Sequence, residues 1–178
     1  ALAVVIALAV IMWAIGAYDM NGGPVDKQTI NFNILKGNGY LETTKTEKSF
    51  TSTRNGIAEE KWVLGTKAGI ENRLEISSTN DQVHLNGSPD TVIVTLLPGR
   101  PDPDSSLITA TSNIRANGTD YSIVTITLRD RFNNPVPDIL PVLHSDNEGV
   151  TIENPQSPTN SNGQTTGKVR STSSADTV

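Results

Sequence analysis

A chain of 178 residues with a formal net charge of −5 and a pI of about 5.0 offers no cationic surface to nucleic acid or to an anionic membrane, and no polybasic stretch offsets that balance. The absence of cysteine excludes disulfides and cysteine-ligated metals and leaves the compartment open. With 14 Gly, 10 Pro and aromatics at 4%, the composition fits short strands joined by tight turns and does not fit helices.

The chain opens on an uncharged run, Ala1 to Ala17, in which the Trp13 indole is the one hydrogen-bonding side chain. As a helix this run would reach about 26 Å at ~1.5 Å per residue, just short of a hydrocarbon core of ~30 Å. Trp13 and Tyr18 sit where interface aromatics belong, and Asp19 ends the apolar stretch. The leading expectation is therefore a helix over at least residues 1–12. It would serve as a membrane anchor, or as a filament-core helix similar to the apolar N-terminal helices of processed pilins. No basic start or polar cleavage region marks the run as a secretory signal. The second reading is a strand whose inward residues are Trp13, Ile15 and Ala17. Its outward residues, Met12, Ala14 and Gly16, are not polar, so the alternation of a half-buried strand is missing. The helix predicts that Ile6→Asp abolishes membrane retention or assembly; the strand predicts that a chain starting at Tyr18 cannot fold its first module.

Asp19-Met-Asn-Gly22-Gly-Pro24-Val25 then reads as a reversal, with turn formers followed by a proline that presets φ for the next strand. Ile30, Phe32 and Ile34 alternate with Asn31 and Asn33, a strand with one buried and one wet face. Gly37-Asn38-Gly39 is a turn. Tyr40 and Leu41 lead into Glu42–Thr53, read as a solvated loop with one short strand. Asn55-Gly56 opens a strand from Ile57 to Leu64 in which Trp62 and Leu64 face in and Glu59 and Lys61 face out. After the Gly65–Gly69 turn, Asn72–Ser77 returns with Leu74 and Ile76 inward, and Pro89–Leu97 completes a first module over residues 18–97.

Pro98-Gly-Arg-Pro101-Asp-Pro103-Asp104 is read as a short, semi-rigid linker, since its prolines remove backbone donors and favour polyproline II. Beyond it the pattern repeats. Asp130-Arg-Phe-Asn133-Asn134-Pro135-Val136 returns the first reversal, with Pro135 following Pro24 by 111 positions (135 − 24), and Asn162-Gly163 returns Asn55-Gly56. Strands are expected at Leu107–Ala110, Tyr121–Leu128, Ile139–Leu143, Val150–Ile152 and Gln164–Ser171, giving a second module over residues 105–178. Aligning Gly56 with Gly163 places Ala68–Glu71 on Ala175–Val178, so the counterpart of Arg73–Ile76 is missing. The second module is expected to lack its last strand, supplied by continuation of the chain or by a neighbouring subunit.

These motifs together, above all Asp-x-x-Asn/Gly-x-Pro-Val, Gly37-Asn-Gly39, Asn55-Gly-Ile-Ala58, Trp62-x-Leu-Gly65 and Asn117-Gly118-Thr119, resemble the bacterial immunoglobulin-like repeats of the invasin and intimin type. The resemblance covers residues 19–178. It implies an all-β protein of two tandem immunoglobulin-like β-sandwich modules, placed as spacers in extracellular, cell-surface adhesins.

The chemical inventory is thin. His84 and His144 stand in separate modules without a ligand-spaced partner, and Gly163–Lys168 is one residue short of a phosphate loop and opens a strand. Glu59 and Glu60 are adjacent and face opposite ways on a strand, which is no carboxylate dyad. Asp102 and Asp104 are weak candidates for calcium between the modules. Asn86-Gly-Ser88 and Asn117-Gly-Thr119 are glycan acceptor patterns. No cofactor is implied. Two functions follow: a non-enzymatic stalk or filament subunit whose partners are neighbouring copies or further modules, and a binding module whose loops recognise a sugar or a protein on a host or cell surface. Exposed aromatics clustered on loops would mark the second, but Tyr40, Phe50 and Phe132 are scattered.

Overall fold

The computed structural model describes residues 2–4, 10–78, 84–85, 90–115 and 117–171. The chain divides into two compact units, residues 1–98 and 99–178. Among the described residues every regular element is a strand.

The first unit is a sandwich of two sheets. Its strands are β1 (Leu2–Val4), β2 (Val10–Tyr18), β3 (Thr29–Lys36), β4 (Gly39–Leu41), β5 (Lys48–Ser52), β6 (Ile57–Leu64), β7 (Glu71–Ser78), β8 (His84–Leu85) and β9 (Asp90–Leu96). One sheet has the order β1-β9-β7-β3-β5 and the other β4-β6-β2-β8. Period-2 alternation decides which side chains meet between them. Ile30, Phe32 and Ile34 of β3 and Leu74 and Ile76 of β7 face Ala17 of β2 and Ala58, Trp62 and Leu64 of β6 in one buried cluster.

The helix expected for residues 1–12 is not what the described residues form. β1 pairs in parallel with Val94–Leu96 of β9, and β2 runs antiparallel to β6 from Val10 opposite Val63 to Gly16 opposite Ile57. An anchor or filament-core helix is therefore withdrawn for these positions, and no helix among the described residues is long and apolar enough to cross a membrane. The missing alternation has a steric cause. Ile15 and Ala17 are buried as the strand reading requires, while two of the outward positions are small: Ala14 is exposed, and the Tyr18 ring lies over Gly16, where a Cβ would come 2.6 Å from Tyr18 Cε2; the side chains of Met12 and Trp13 lie outside the described ones. Ile6 lies outside the described residues.

The second unit holds one antiparallel sheet of β10 (Leu107–Ala110), β11 (Ser122–Thr127), β12 (Val150–Glu153) and β13 (Gln164–Ser171), ordered β10-β11-β13-β12. The pairing of β11 with β13 and of β13 with β12 repeats that of β2 with β6 and of β6 with β4. Val124 and Ile126 turn inward with Val136. The expected strand at Ile139–Leu143 joins no ladder. Pro141 has no N–H to give, and the donors on either side are taken by side chains instead: Ile139 N–H by Thr159 Oγ1 at 3.0 Å and Leu143 N–H by Asn154 Oδ1 at 2.6 Å. Ala175–Val178 lie outside the described residues.

Candidate functional site: the strand-reversal latch

The two sequence markers meet in space within each unit. In the first, Asp19 Oδ1 accepts the N–H groups of Asn21 and Gly23, both at 2.8 Å, and Asp19 N–H donates to Gly23 O, also at 2.8 Å. Gly22 supplies the positive φ of +80° that closes the turn. Pro24 then lies against the Asn-Gly marker. Ala17 N–H donates to Gly56 O at 2.7 Å, and a Cβ on Gly56 would stand 2.6 Å from Pro24 Cβ.

Thr53 fastens the arrangement. Its hydroxyl donates to Val25 O at 2.6 Å and accepts Gln28 N–H at 2.9 Å, while its own N–H and C=O bond Gln28 O and Lys27 N–H, both at 2.9 Å. The second unit repeats this set bond for bond. Thr159 Oγ1 donates to Val136 O at 2.8 Å and accepts Ile139 N–H at 3.0 Å, and its backbone bonds Ile139 O and Asp138 N–H, both at 2.8 Å. Leu128 N–H donates to Gly163 O at 2.8 Å. Both threonines are buried, and sequence reading passed over them. The available signal was a Thr shortly before each Asn-Gly pair.

Asp130 goes further than Asp19. It is 2% exposed, and besides the N–H groups of Phe132 and Asn134 it accepts Asn134 Nδ2 and Gly99 N–H, each at 2.9 Å. Asn134 stands where the first copy has Gly23, and so adds a side-chain donor. Burial pushes the Asp130 carboxyl up, but the Asn134 side chain and the backbone donors of Gly99, Asn134 and Phe132 outweigh it and leave the pKa lowered. The linker is thus held at Gly99 and again at Asp102, whose N–H donates to Arg129 O at 2.7 Å.

Residues 104–178 match the sequence profile of the bacterial Ig-like domain (group 1). That stretch is similar to the bacterial Ig-like domains. Solved structures share the Ig-like architecture: InvD of Yersinia pseudotuberculosis (21% identity, TM-score 0.53, covering 92% of this chain and 44% of that one), invasin, described as a bacterial integrin-binding protein (17%, 0.56, 93% and 34%), and the Escherichia coli adhesin FdeC (17%, 0.56, 97% and 54%). At these identities the likeness establishes the fold, and the chain spans 34 to 54% of the length of those proteins. No curated protein sequence matches it.

The Ig-like units keep the remaining candidate residues apart. Asp102 Oδ2 is engaged by Ser105 through N–H at 3.0 Å and Oγ at 2.8 Å, and Asp104 is exposed beside it. No cluster of three or more potential metal ligands occurs among the described residues. Asn117 is exposed at a turn where its Oδ1 accepts Thr119 and Asp120 N–H and its Nδ2 donates to Asp120 Oδ1 at 3.1 Å. Asn86 lies outside the described residues. His84 pairs opposite Tyr18 through the β2–β8 ladder, and His144 meets Asp146 at 3.0 Å on the surface. Glu59 points outward, whereas Glu60 is 3% exposed on the core face of β6. Its carboxyl group accepts Thr43 N–H and Oγ1, Lys61 N–H and the Ser49 hydroxyl, so its buried oxygens are satisfied by neutral donors. An open groove of about 710 Å³ in the second unit has Ile123, Glu153, Gln156 and Lys168 in its wall, with Glu153 opposite Lys168 in the β12–β13 ladder.

Thr159→Val tests the latch. The substitution removes the donor to Val136 O and strands the Ile139 N–H, at an expected cost of about 1–3 kcal/mol to the second unit. Thr53→Val does the same in the first. Chemical denaturation of each variant should show the loss in its own unit. A shift confined to the other unit would refute the assignment. Gly163→Ala should cost more than Gly69→Ala, although their φ values are +74° and +77°. A Cβ at 163 would lie 2.3 Å from Leu128 O, while one at 69 meets nothing within 4 Å. The exposed site carries only the backbone penalty of roughly 1 kcal/mol. Equal melting temperatures for the two variants would count against the docking of Gly163 on the reversal.

Proposed function

We propose that the chain is a non-enzymatic spacer of a bacterial cell-surface adhesin, a pair of Ig-like units that sets reach and stiffness and stacks with neighbouring Ig-like modules. The observation that carries this reading is the duplicated latch, in which Thr53 and Thr159 make the same four bonds with main-chain and hydroxyl atoms in each unit. These bonds join chain segments about twenty or more residues apart, Val25 to Thr53 and Val136 to Thr159, so each resists separation of whole strands. The adhesin and integrin-binding descriptions of FdeC and invasin support a role in adhesion. A filament-subunit role loses its support with the N-terminal helix.

Force spectroscopy on the whole chain tests the proposal. Two discrete unfolding events are expected, with Thr53→Val lowering the force of one and Thr159→Val that of the other. Extension without discrete resistance would refute a spacer role.

A further inference from the structure

The outer face of the five-stranded sheet in the first unit carries a set of groups that the spacer role does not use. Phe50 of β5, the edge strand, is 63% exposed. The ladder sets Phe50 opposite Asn31 of β3, and Asn31 opposite Ser77 of β7. The next row on the same face is Lys48, Asn33 and Glu75. These six residues line an open groove of about 220 Å³. Asn31 Oδ1 is buried there without a hydrogen-bond partner.

Each feature narrows the ligand. An exposed aromatic ring presents a face of negative potential that attracts polarised C–H groups. Amide, hydroxyl, ammonium and carboxylate groups beside it offer both donors and acceptors at short range. Lys48 and Glu75 cancel one another, so the groove is neutral. An apolar protein partner would leave these polar groups stranded, and the acidic chain repels nucleic acid.

We propose that this face binds a neutral saccharide. The Phe50 ring takes the C–H face of one pyranose, while the side chains of Asn31, Asn33 and Ser77 bond its hydroxyls. The site lies on the flat of a sheet, away from the loops, and is independent of the spacer role.

Titrating the isotope-labelled full chain with chitotetraose, cellotetraose and lactose, and following the side-chain amide signals of Asn31 and Asn33 by NMR, tests the site. Those signals should move with at least one neutral probe, and sialyllactose should bind more weakly. Phe50→Ala should weaken binding roughly tenfold, and Phe50→Tyr should restore it. Because Phe50 is exposed, unchanged tryptophan fluorescence will show that both variants are folded. The proposal is overturned if no neutral probe moves the Asn31 or Asn33 signals, or if the shifts map to other residues. It is also overturned if sedimentation shows self-association that Phe50→Ala abolishes, which would make the face a contact between copies.

Discussion

Replacing Trp62 with alanine unfolds the first Ig-like unit well below the second. Trp62 is 1% exposed, is the largest fully buried side chain among the described residues, and is paired in the sheet with Leu41 on one side and Ile11 on the other. Its removal loses the transfer free energy of the ring and leaves a cavity that two hydrogen-bonded sheets cannot close, a cost of about 3–5 kcal/mol. That is a large share of the ~5–15 kcal/mol that holds a domain folded. Trp62→Phe should cost much less. The indole Nε1 has no partner in the core, so phenylalanine removes an unsatisfied donor along with part of the volume. Amide hydrogen exchange of β3 and β7 reports the unfolding of the first unit in the variant. Unchanged protection there would mean that the phase of β6 is wrong.

Asp130→Ala should damage the second unit to nearly the same degree. Three backbone N–H groups and the Asn134 amide lose their acceptor together, around a carboxylate that is itself buried with Asn134. The expected cost is roughly 2–4 kcal/mol. Asp19→Ala, at an exposed carboxylate bound only to two local N–H groups, should cost under ~1 kcal/mol. The same contrast appears on acidification. The folded pKa of Asp130 lies below its unfolded value of about 3.9, so the folded state favours the carboxylate. The stability it contributes is complete above that unfolded value and is lost as pH falls through the folded one. Thermal melts of the second unit should therefore decline below about pH 4, and Asp130→Asn should flatten that decline. A wild-type melt independent of pH in this range would show that Asp130 is not held as the structure has it.

Alternation was legible wherever polar residues occupied the wet face. β3, β6 and β7 follow their sequence pattern, and β10 and β13 span the residues that periodicity picks out. It failed for β2, because Ala14 and Gly16 carry no polarity with which to announce an outer face. It failed again at Ile139–Leu143, where the residues look like a strand but Pro141 cannot join a ladder. Glu60 shares the parity of Ala58, Trp62 and Leu64, so its inward direction was readable; what was not readable was that Thr43 and Ser49 would gather to bond its carboxyl group there. The latch was half visible. Asp, Pro and Asn-Gly drew notice as turn formers, but their mutual contact joins positions more than thirty apart, and local patterns say nothing about that. The groove beside Phe50 needs the register of three strands and could not be seen from the chain alone.

The latch also bears on how such units diverge. Thr53 and Thr159 address main-chain atoms: the carbonyls of Val25 and Val136 and the amides of Gln28 and Ile139. Any residue but proline can supply that amide, so substitutions at the addressed positions leave the bonds intact. Gln28 has become Ile139 and Asp26 has become Pro137 between the two copies without loss of a single one of those bonds. Drift is therefore nearly free at the addressed positions and arrested where the core, a side-chain oxygen or a left-handed backbone is required, which lets a gene multiply such units and let their outer faces acquire separate surfaces while the fastening stays fixed.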